Sequence, residues 1–360
     1  MTLFLMFAGG LIALVIGASL LVRGAAKLAL SFGISSLVVG LTVVAFGTSA
    51  PEVAVSVGAV LNGQVDIAIG NVVGSNIFNV LFILGISALI APLIVNIQLI
   101  KQEVPIMIAA SLALLLMILD GKLAFWEAGV LLAALVVYTT FLVIQSRKQT
   151  AAAGNGEFDD EVDMSSTWDR HWSVQVLLII GGLVLLVLGS RWLVEAAVTT
   201  AKMLGVSDLV IGLTIVAAGT SLPEVATSVT AAIKGQRDIA VGNVVGSNTF
   251  NILGCLGLSG LMAPAGLAVA PSIVSFDIWV MLAVAVACLP IFITGREIAR
   301  WEGAVFVGYY VAYTAYLIMA SQEHDALPMF SNAMLYFVVP ITVITLLVSF
   351  FRQKNSPSTA

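Results

Sequence analysis

Two glutamates stand in the middle of apolar segments. Glu52 ends the stretch GTSAPE, which begins at Gly47, and Glu224 ends GTSLPE, which begins at Gly219. A charged group at the centre of a bilayer costs about 2.5–3.5 kcal/mol on insertion scales. No lysine or arginine lies near either motif. The two carboxyl groups are therefore either protonated or held around a bound cation.

Each glutamate shares one face of a predicted helix with two hydroxyl side chains and an alanine. Spacings of i, i+3, i+4 and i+7 place residues on the same helical face. The two faces consist of Ala45, Thr48, Ser49 and Glu52 in the first copy and Ala217, Thr220, Ser221 and Glu224 in the second.

A proline immediately precedes each glutamate and predicts a break in the helix. Pro51 has no amide hydrogen, and its ring clashes with the carbonyl group of Gly47. Pro223 and Gly219 repeat this arrangement. Freed carbonyl groups at membrane depth are tolerated where they line a cavity or bind something.

A second motif, GNVVGSN, also occurs in both copies. Ser75 and Asn79 are four residues apart and share a helical face, as do Ser247 and Asn251. The glycine pair within each motif forms a GxxxG step, which is typical of close helix packing.

The candidate ligand atoms are all oxygens: carboxylates, hydroxyls, freed carbonyls and amides. Neither cysteine nor histidine occurs among them, which argues against zinc or copper. Calcium accepts six to eight oxygens in flexible geometry, whereas magnesium demands a tight octahedron. Two carboxylates balance one divalent ion, and sodium ions or protons are alternative occupants. Competition for the carboxylates would couple the fluxes of these ions.

The composition indicates an all-α membrane protein. The chain has 360 residues, of which 60% are hydrophobic and 10% charged, whereas soluble domains carry about 25% charged residues. Apolar runs of about 20 residues recur along the sequence, and the first reads as a retained helix rather than a cleaved signal. We predict ten core spans and an eleventh: 3–22, 35–60, 65–90, 102–119, 123–145, 173–194, 207–232, 237–262, 272–293, 301–320 and 333–351.

The distribution of basic residues predicts the orientation. With the N-terminus outside, 12 of the 15 lysines and arginines fall on the inner side and 3 on the outer side. The positive-inside rule therefore favours an external N-terminus in the cell membrane.

The two halves are copies of one five-helix unit. Residues 40–92 align with 212–264 at an offset of 172 without gaps, and 36 of 53 positions are identical. Because five is an odd number, the second unit must be inverted relative to the first. Inverted repeats with interrupted helices at mid-membrane are the pattern of transporters. We divide the chain into a first repeat (1–145), an acidic cytoplasmic linker (146–172), a second repeat (173–320) and an accessory helix with a tail (321–360).

The acidic loop and two further carboxyl groups have a structural interpretation, each with an ion-related alternative. The segment GEFDDEVD, within 156–163, lacks EF-hand spacing and reads as a solvated linker; a low-affinity calcium sensor is the alternative. Glu103 and Asp277 stand at matching ends of the fourth and ninth spans, where we expect them to cap helices, an ion entrance being the alternative.

The paired motifs GTSAPE/GTSLPE and GNVVGSN resemble the two alpha-repeats of the calcium/cation antiporter superfamily, in particular prokaryotic-type sodium/calcium exchangers. The resemblance covers residues 1 to about 320. It implies ten helices in inverted repeats, exchange of calcium for sodium or protons by alternating access, and no cofactor besides the transported ions. It implies a cation site built from Ala45, Thr48, Ser49, Glu52, Ser75, Asn79, Ala217, Thr220, Ser221, Glu224, Ser247 and Asn251.

One feature departs from the family pattern. Several members carry an acidic residue at one of the positions held here by Asn79 and Asn251, so this site has two formal negative charges. The coupling ion therefore stays open between sodium and protons.

Two other classes of protein compete with the antiporter. A passive cation channel would conduct without a counter-ion, and a non-transporting calcium sensor would bind without flux. The inverted repeat favours the antiporter. No catalytic triad, phosphate loop or nucleic-acid motif is present, so the expected partners are calcium, sodium and the lipid bilayer, and the oligomeric state is undetermined.

Overall fold

The computed structural model describes residues 2–32, 34–153, 171–203 and 217–354, and most of them are helical. The acidic segment GEFDDEVD lies outside the described residues, and so do residues 207–216 of the predicted seventh span. Within the described ranges, nine helices are long and apolar enough to cross a membrane, and one bent pair adds a tenth span. A shorter apolar helix, Leu222–Ile233, is the larger described part of the predicted seventh span. The all-α membrane fold is confirmed.

The first repeat contains six helices, of which the second and third form the bent pair and the fourth includes a π-helical segment at Asn79–Leu84. They are α1 (Thr2–Phe32), α2 (Ser36–Thr48), α3 (Ala50–Leu61), α4 (65–90), α5 (Leu99–Met117) and α6 (Phe125–Ala153). Helix α6 extends beyond residue 145, the predicted end of the first repeat.

The second repeat has the same order of elements, with a π-helical segment at Asn251–Leu256. Its helices are α7 (Trp172–Met203), α8 (Ala217–Thr220), α9 (Leu222–Ile233), α10 (Arg237–Leu261), α11 (Ile273–Ile293) and α12 (Arg300–Ser321), and α13 (327–354) follows as the accessory helix. Every residue of helix α10 from 239 to 257 is buried within the protein, although its sequence is apolar enough for a lipid-facing span.

Two short antiparallel ladders establish the inversion. Strand β1 (Leu93–Ile94) pairs with β4 (Glu297–Ile298), and β2 (Lys122–Leu123) pairs with β3 (Leu267–Ala268). Because β1 and β2 flank α5, they lie on opposite faces of the membrane. β3 follows α10 just as β1 follows α4, yet β3 pairs with β2. The equivalent loops of the two repeats are therefore on opposite faces, as the odd number of helices requires.

Helices α1 and α7 form an antiparallel pair joined along small residues. A Cβ atom added at Gly17 would lie 2.8 Å from the Gly182 carbonyl oxygen, and one added at Gly182 would lie 2.7 Å from the Gly17 carbonyl oxygen. Gly10 and Gly189 repeat this reciprocal contact one heptad away. Such close approach of backbones is what glycine permits in membrane helices.

Glu103 and Asp277 were expected to cap helices, but neither side chain makes a capping hydrogen bond. That expectation was wrong. Side-chain caps occur instead at the next helices, α6 and α12, where the third residue is a glutamate. The Ala124 amide donates to Glu127 Oε2 and the Ala299 amide donates to Glu302 Oε2, both at 2.8 Å.

Glu103 and Asp277 instead accept hydrogen bonds from tyrosines of the following span. Tyr138 donates to Glu103 at 2.7 Å and Tyr313 donates to Asp277 at 2.8 Å. This carboxyl–tyrosine pair occurs in both repeats and ties α5 to α6 and α11 to α12.

Candidate cation-binding site

The predicted breaks occur at serines. Ser49 separates α2 from α3 with φ −80° and ψ 7°, and Ser221 separates α8 from α9 with φ −88° and ψ 8°. The two parts of the first broken helix are bent by 43°. Pro51 and Pro223 lie within the first two positions of the helices that follow, where a missing amide hydrogen is tolerated.

The two glutamates are fully buried, and each is bonded to the opposite repeat. Ser221 donates to Glu52 Oε1 at 2.8 Å, and Ser49 donates to Glu224 Oε1 at 2.9 Å. The two carboxyl groups therefore lie at one interface between the repeats. We call this interface, bounded by Ser49, Glu52, Ser221 and Glu224, the chamber.

Several oxygens around this chamber are buried without any hydrogen-bond partner. A buried unsatisfied oxygen is costly and needs a specific explanation. Among the described residues, the orphan atoms at the predicted site are Glu52 Oε2, Glu224 Oε2, Asn79 Oδ1, Asn251 Oδ1 and Ser247 Oγ. These five are among twelve partnerless buried side-chain atoms in the described part of the chain. Oxygen atoms of this kind fit a hard cation such as calcium or sodium.

The other predicted ligands are distributed around the same interface. Ser75 is buried and its hydroxyl oxygen lies 3.3 Å from that of Ser221. The Thr48 hydroxyl donates to Asn243 Oδ1 at 3.1 Å and lies 3.4 Å from the Ala45 carbonyl oxygen. Ala217 and Thr220 form the short helix α8 before the second break. The ligand role of all twelve residues stays a prediction.

Sequence reasoning missed a layer of amides that holds the broken helices in place. Asn71 donates to Ser56 Oγ at 3.0 Å, and in the second repeat Asn243 donates to Ser228 Oγ at 2.9 Å. Asn71 also donates to the Glu52 carbonyl oxygen at 3.2 Å. These residues carry a detectable signal, because the same polar type stands in both copies at the offset of 172.

The site holds two acidic side chains rather than a cluster. Within the described part of the chain, no group of three or more His, Cys, Asp or Glu residues is placed to hold a metal. Neutral oxygens must therefore complete any coordination shell, which disfavours zinc and copper.

Comparison with known proteins decides the family. A sequence model described as sodium/calcium exchanger protein matches residues 2–144 and 174–319. The chain belongs to the sodium/calcium exchanger family. The exchanger's matched ranges coincide with the two inverted repeats. It is a transporter rather than an enzyme, and ions are its substrates rather than cofactors.

The exchanger resembles full-length relatives in sequence and structure. It is 36% identical over 350 residues to the sodium/calcium exchanger MaX1 of Methanosarcina acetivorans, covering 87% of this chain and 98% of the relative. It is 36% identical over 313 residues to inner membrane protein YrbG of Escherichia coli, covering 87% and 95%. The solved structure of the sodium-calcium exchanger NCX_Mj soaked with zero Na⁺ and Ca²⁺ superposes with a TM-score of 0.74 at 30% identity, covering 88% of this chain and 99% of that one.

Proposed function

We propose that this exchanger moves calcium out of the cytoplasm in exchange for sodium, through a single chamber lined by both broken helices. The observation that carries the proposal is the set of five partnerless buried oxygens that belong to Glu52, Glu224, Asn79, Asn251 and Ser247. A cation supplies the missing partner for each of these atoms. The proposed ligands are Ala45, Thr48, Ser49, Glu52, Ser75, Asn79, Ala217, Thr220, Ser221, Glu224, Ser247 and Asn251.

The charge of the chamber explains why the two fluxes are coupled. Asn79 and Asn251 are neutral, so the two glutamates supply the formal charge. One calcium ion or two sodium ions neutralise these carboxylates, and a low-dielectric chamber penalises any other net charge. Calcium and sodium therefore exclude each other at the site, which is the requirement for exchange.

We propose that α1 and α7 move together against the rest of the protein to expose the chamber alternately. Helix α1 lies along α9, whereas α7 makes no comparably extensive contact with α3, the counterpart of α9. Accordingly, Val55 of α3 is 41% exposed while its counterpart Thr227 of α9 is fully buried. One end of the chamber is thus covered more than the other, which is the asymmetry that alternating access needs.

The proposed location is the cell membrane with the N-terminus outside. The excess of basic residues on the inner side and the similarity to an inner membrane protein support this orientation. It places the linker 146–172 in the cytoplasm, and it makes the covered end of the chamber the cytoplasmic end. Fusion of a reporter that is active only in the cytoplasm after residue 321 tests the orientation, and activity there would contradict it.

Calcium uptake into reconstituted vesicles tests the function. With sodium inside, the wild-type chain is expected to accumulate calcium, and Glu52→Gln and Glu224→Gln are expected to abolish uptake. Glu323→Gln, in the exposed loop before α13, is the matched control and should transport normally. Normal exchange by either buried variant would refute the site.

The same assay separates the competing functions when the gradient is changed. Uptake driven by a pH gradient in the absence of sodium would indicate proton coupling. Uptake without either gradient would indicate a channel, and calcium binding without uptake would indicate a sensor. Sodium-dependent uptake alone is the outcome expected for the exchanger.

A further inference from the structure

Two asparagines outside the predicted ligand set accept hydrogen bonds from two predicted ligands. Asn76 and Asn248 lie three residues before Asn79 and Asn251, and all four side chains are buried. We call these four residues the asparagine cluster. Its contacts cross from one repeat to the other and obey the same pseudo-two-fold relation as the serine–glutamate bonds.

Asn76 and Asn248 are the inner members of the cluster, and Asn79 and Asn251 are the outer members. The inner members are oriented by backbone carbonyl groups. Asn76 Nδ2 donates to the Asn248 carbonyl oxygen at 3.1 Å, and Asn248 Nδ2 donates to the Asn76 carbonyl oxygen at 3.2 Å. A carbonyl oxygen can only accept, so each of these amides must turn its NH₂ arm toward it. Asn76 Nδ2 also lies 3.7 Å from the sulfur of Met281, another acceptor. The Oδ1 atoms of Asn76 and Asn248 consequently point the other way.

That orientation dictates the orientation of the outer members. Asn79 Nδ2 donates to Asn248 Oδ1 at 3.0 Å, and Asn251 Nδ2 donates to Asn76 Oδ1 at 3.1 Å. Because the acceptors are oxygens, the NH₂ arms of Asn79 and Asn251 must face them. Their own oxygens are left facing away, and these are two of the partnerless atoms at the chamber.

We infer that Asn76 and Asn248 are positioning residues for ion exchange: they force Asn79 and Asn251 to present oxygen rather than NH₂ to the transported cation. An amide that turned over would point a donor at the cation and would be free to bond a glutamate carboxylate instead. This inference rests on the proposed site, because it assigns no contact between the inner asparagines and the ion.

Replacement of an inner asparagine tests the inference. Asn248→Leu removes the acceptor for Asn79, and we expect the KM for calcium in vesicle uptake to rise about 10–100-fold, the usual effect of losing a residue that orients a metal ligand. Asn76→Leu removes the acceptor for Asn251 and should act in the same direction, so it provides a second reading if one variant folds poorly. An unchanged KM in a variant that folds would overturn the inference.

A double-mutant cycle distinguishes orientation from general damage. Asp presents oxygen on both arms, so in an Asn79→Asp background the orientation is irrelevant, and Asn248→Leu should change KM by no more than about twofold. In an Asn251→Asp background, whose orienting partner is Asn76, Asn248→Leu should keep its full effect. Equal effects of Asn248→Leu in the two backgrounds would overturn the inference.

A parallel measurement on Glu52→Gln distinguishes failure of the proposed cation site from failure of the orienting role of Asn76 and Asn248. Normal exchange by Glu52→Gln would refute the cation site itself. Loss of exchange in Glu52→Gln together with an unchanged KM in Asn248→Leu would refute only the orienting role of the inner asparagines.

Discussion

Ser221 of the second repeat donates a hydrogen bond of 2.8 Å to Glu52 of the first repeat. The residues are separated by 169 positions in the chain, and the serine stands at the break of its helix, where its backbone is not helical. Each broken helix thus uses its break to reach the carboxyl group of the other. The bond couples the two repeats at the point where the ion is proposed to bind.

Loss of this hydroxyl should weaken calcium binding. Ser221 is itself a proposed ligand and its hydroxyl also holds Glu52. We therefore expect Ser221→Ala to raise the KM for calcium by roughly 10–100-fold, the usual effect of losing a residue that orients a metal ligand. Ser111→Ala is the control, because Ser111 is also buried but its hydroxyl donates to the Met107 carbonyl oxygen of its own helix. Similar KM values for the two variants in vesicle uptake would contradict the assignment.

The close glycine contact between α1 and α7 should not tolerate an added methyl group. Gly182→Ala places a Cβ 2.7 Å from the Gly17 carbonyl oxygen, whereas nothing lies within 4 Å of a Cβ at the neighbouring Gly181. Overpacking costs about 1–3 kcal/mol, so Gly182→Ala should lower the unfolding temperature in detergent. Gly181→Ala should leave it unchanged or raise it slightly, because alanine is the better helix former. An equal loss in both variants would show that the contact with Gly17 is not responsible.

The tyrosines that bond Glu103 and Asp277 should contribute stability rather than ion affinity. Glu103 also accepts bonds from Gln98 and Gln102 at 2.9 and 2.7 Å. We expect Tyr138→Phe to lower the free energy of unfolding by about 1.5–3 kcal/mol without changing the KM for calcium.

Thermal unfolding in detergent and vesicle uptake measure these two quantities. Tyr336→Phe, on the exposed face of α13, is the control for loss of a tyrosine hydroxyl. A change in calcium KM with intact stability in Tyr138→Phe would assign the pair to the transport path instead.

Removal of the accessory helix should spare transport. None of the described residues of α13 is buried, and an apolar cavity of about 640 Å³ separates it from α11 and α12. Tyr309 of α12 links it to the core by hydrogen bonds to Thr342 Oγ1 at 2.6 Å and to the Val338 carbonyl oxygen at 3.4 Å. A chain ending at residue 321 should therefore exchange calcium with an unchanged KM in the uptake assay. A large rise in KM would show that α13 supports the chamber.

Much of the fold follows from features that are local in the chain. The repeated segment, the odd number of spans and the proline before each glutamate are visible in the sequence, and they suffice to predict inversion and broken helices. The prediction of caps at Glu103 and Asp277 was wrong because the partners of these side chains are distant in the chain. A carboxyl group at a helix end is equally suited to capping or to a tyrosine hydroxyl, and the tyrosine belongs to the next span.

The sequence by itself determined which residues carry oxygen into the membrane, because helical periodicity and the repeat are properties of neighbouring positions. Only the tertiary structure decided which atom of each residue faces the chamber. Ser221 meets Glu52, and Asn248 turns Asn79, across 169 residues in each case. Contacts between distant segments depend on how the inverted repeats pack, and an amide or carboxyl group has no preferred orientation until such a partner is in place.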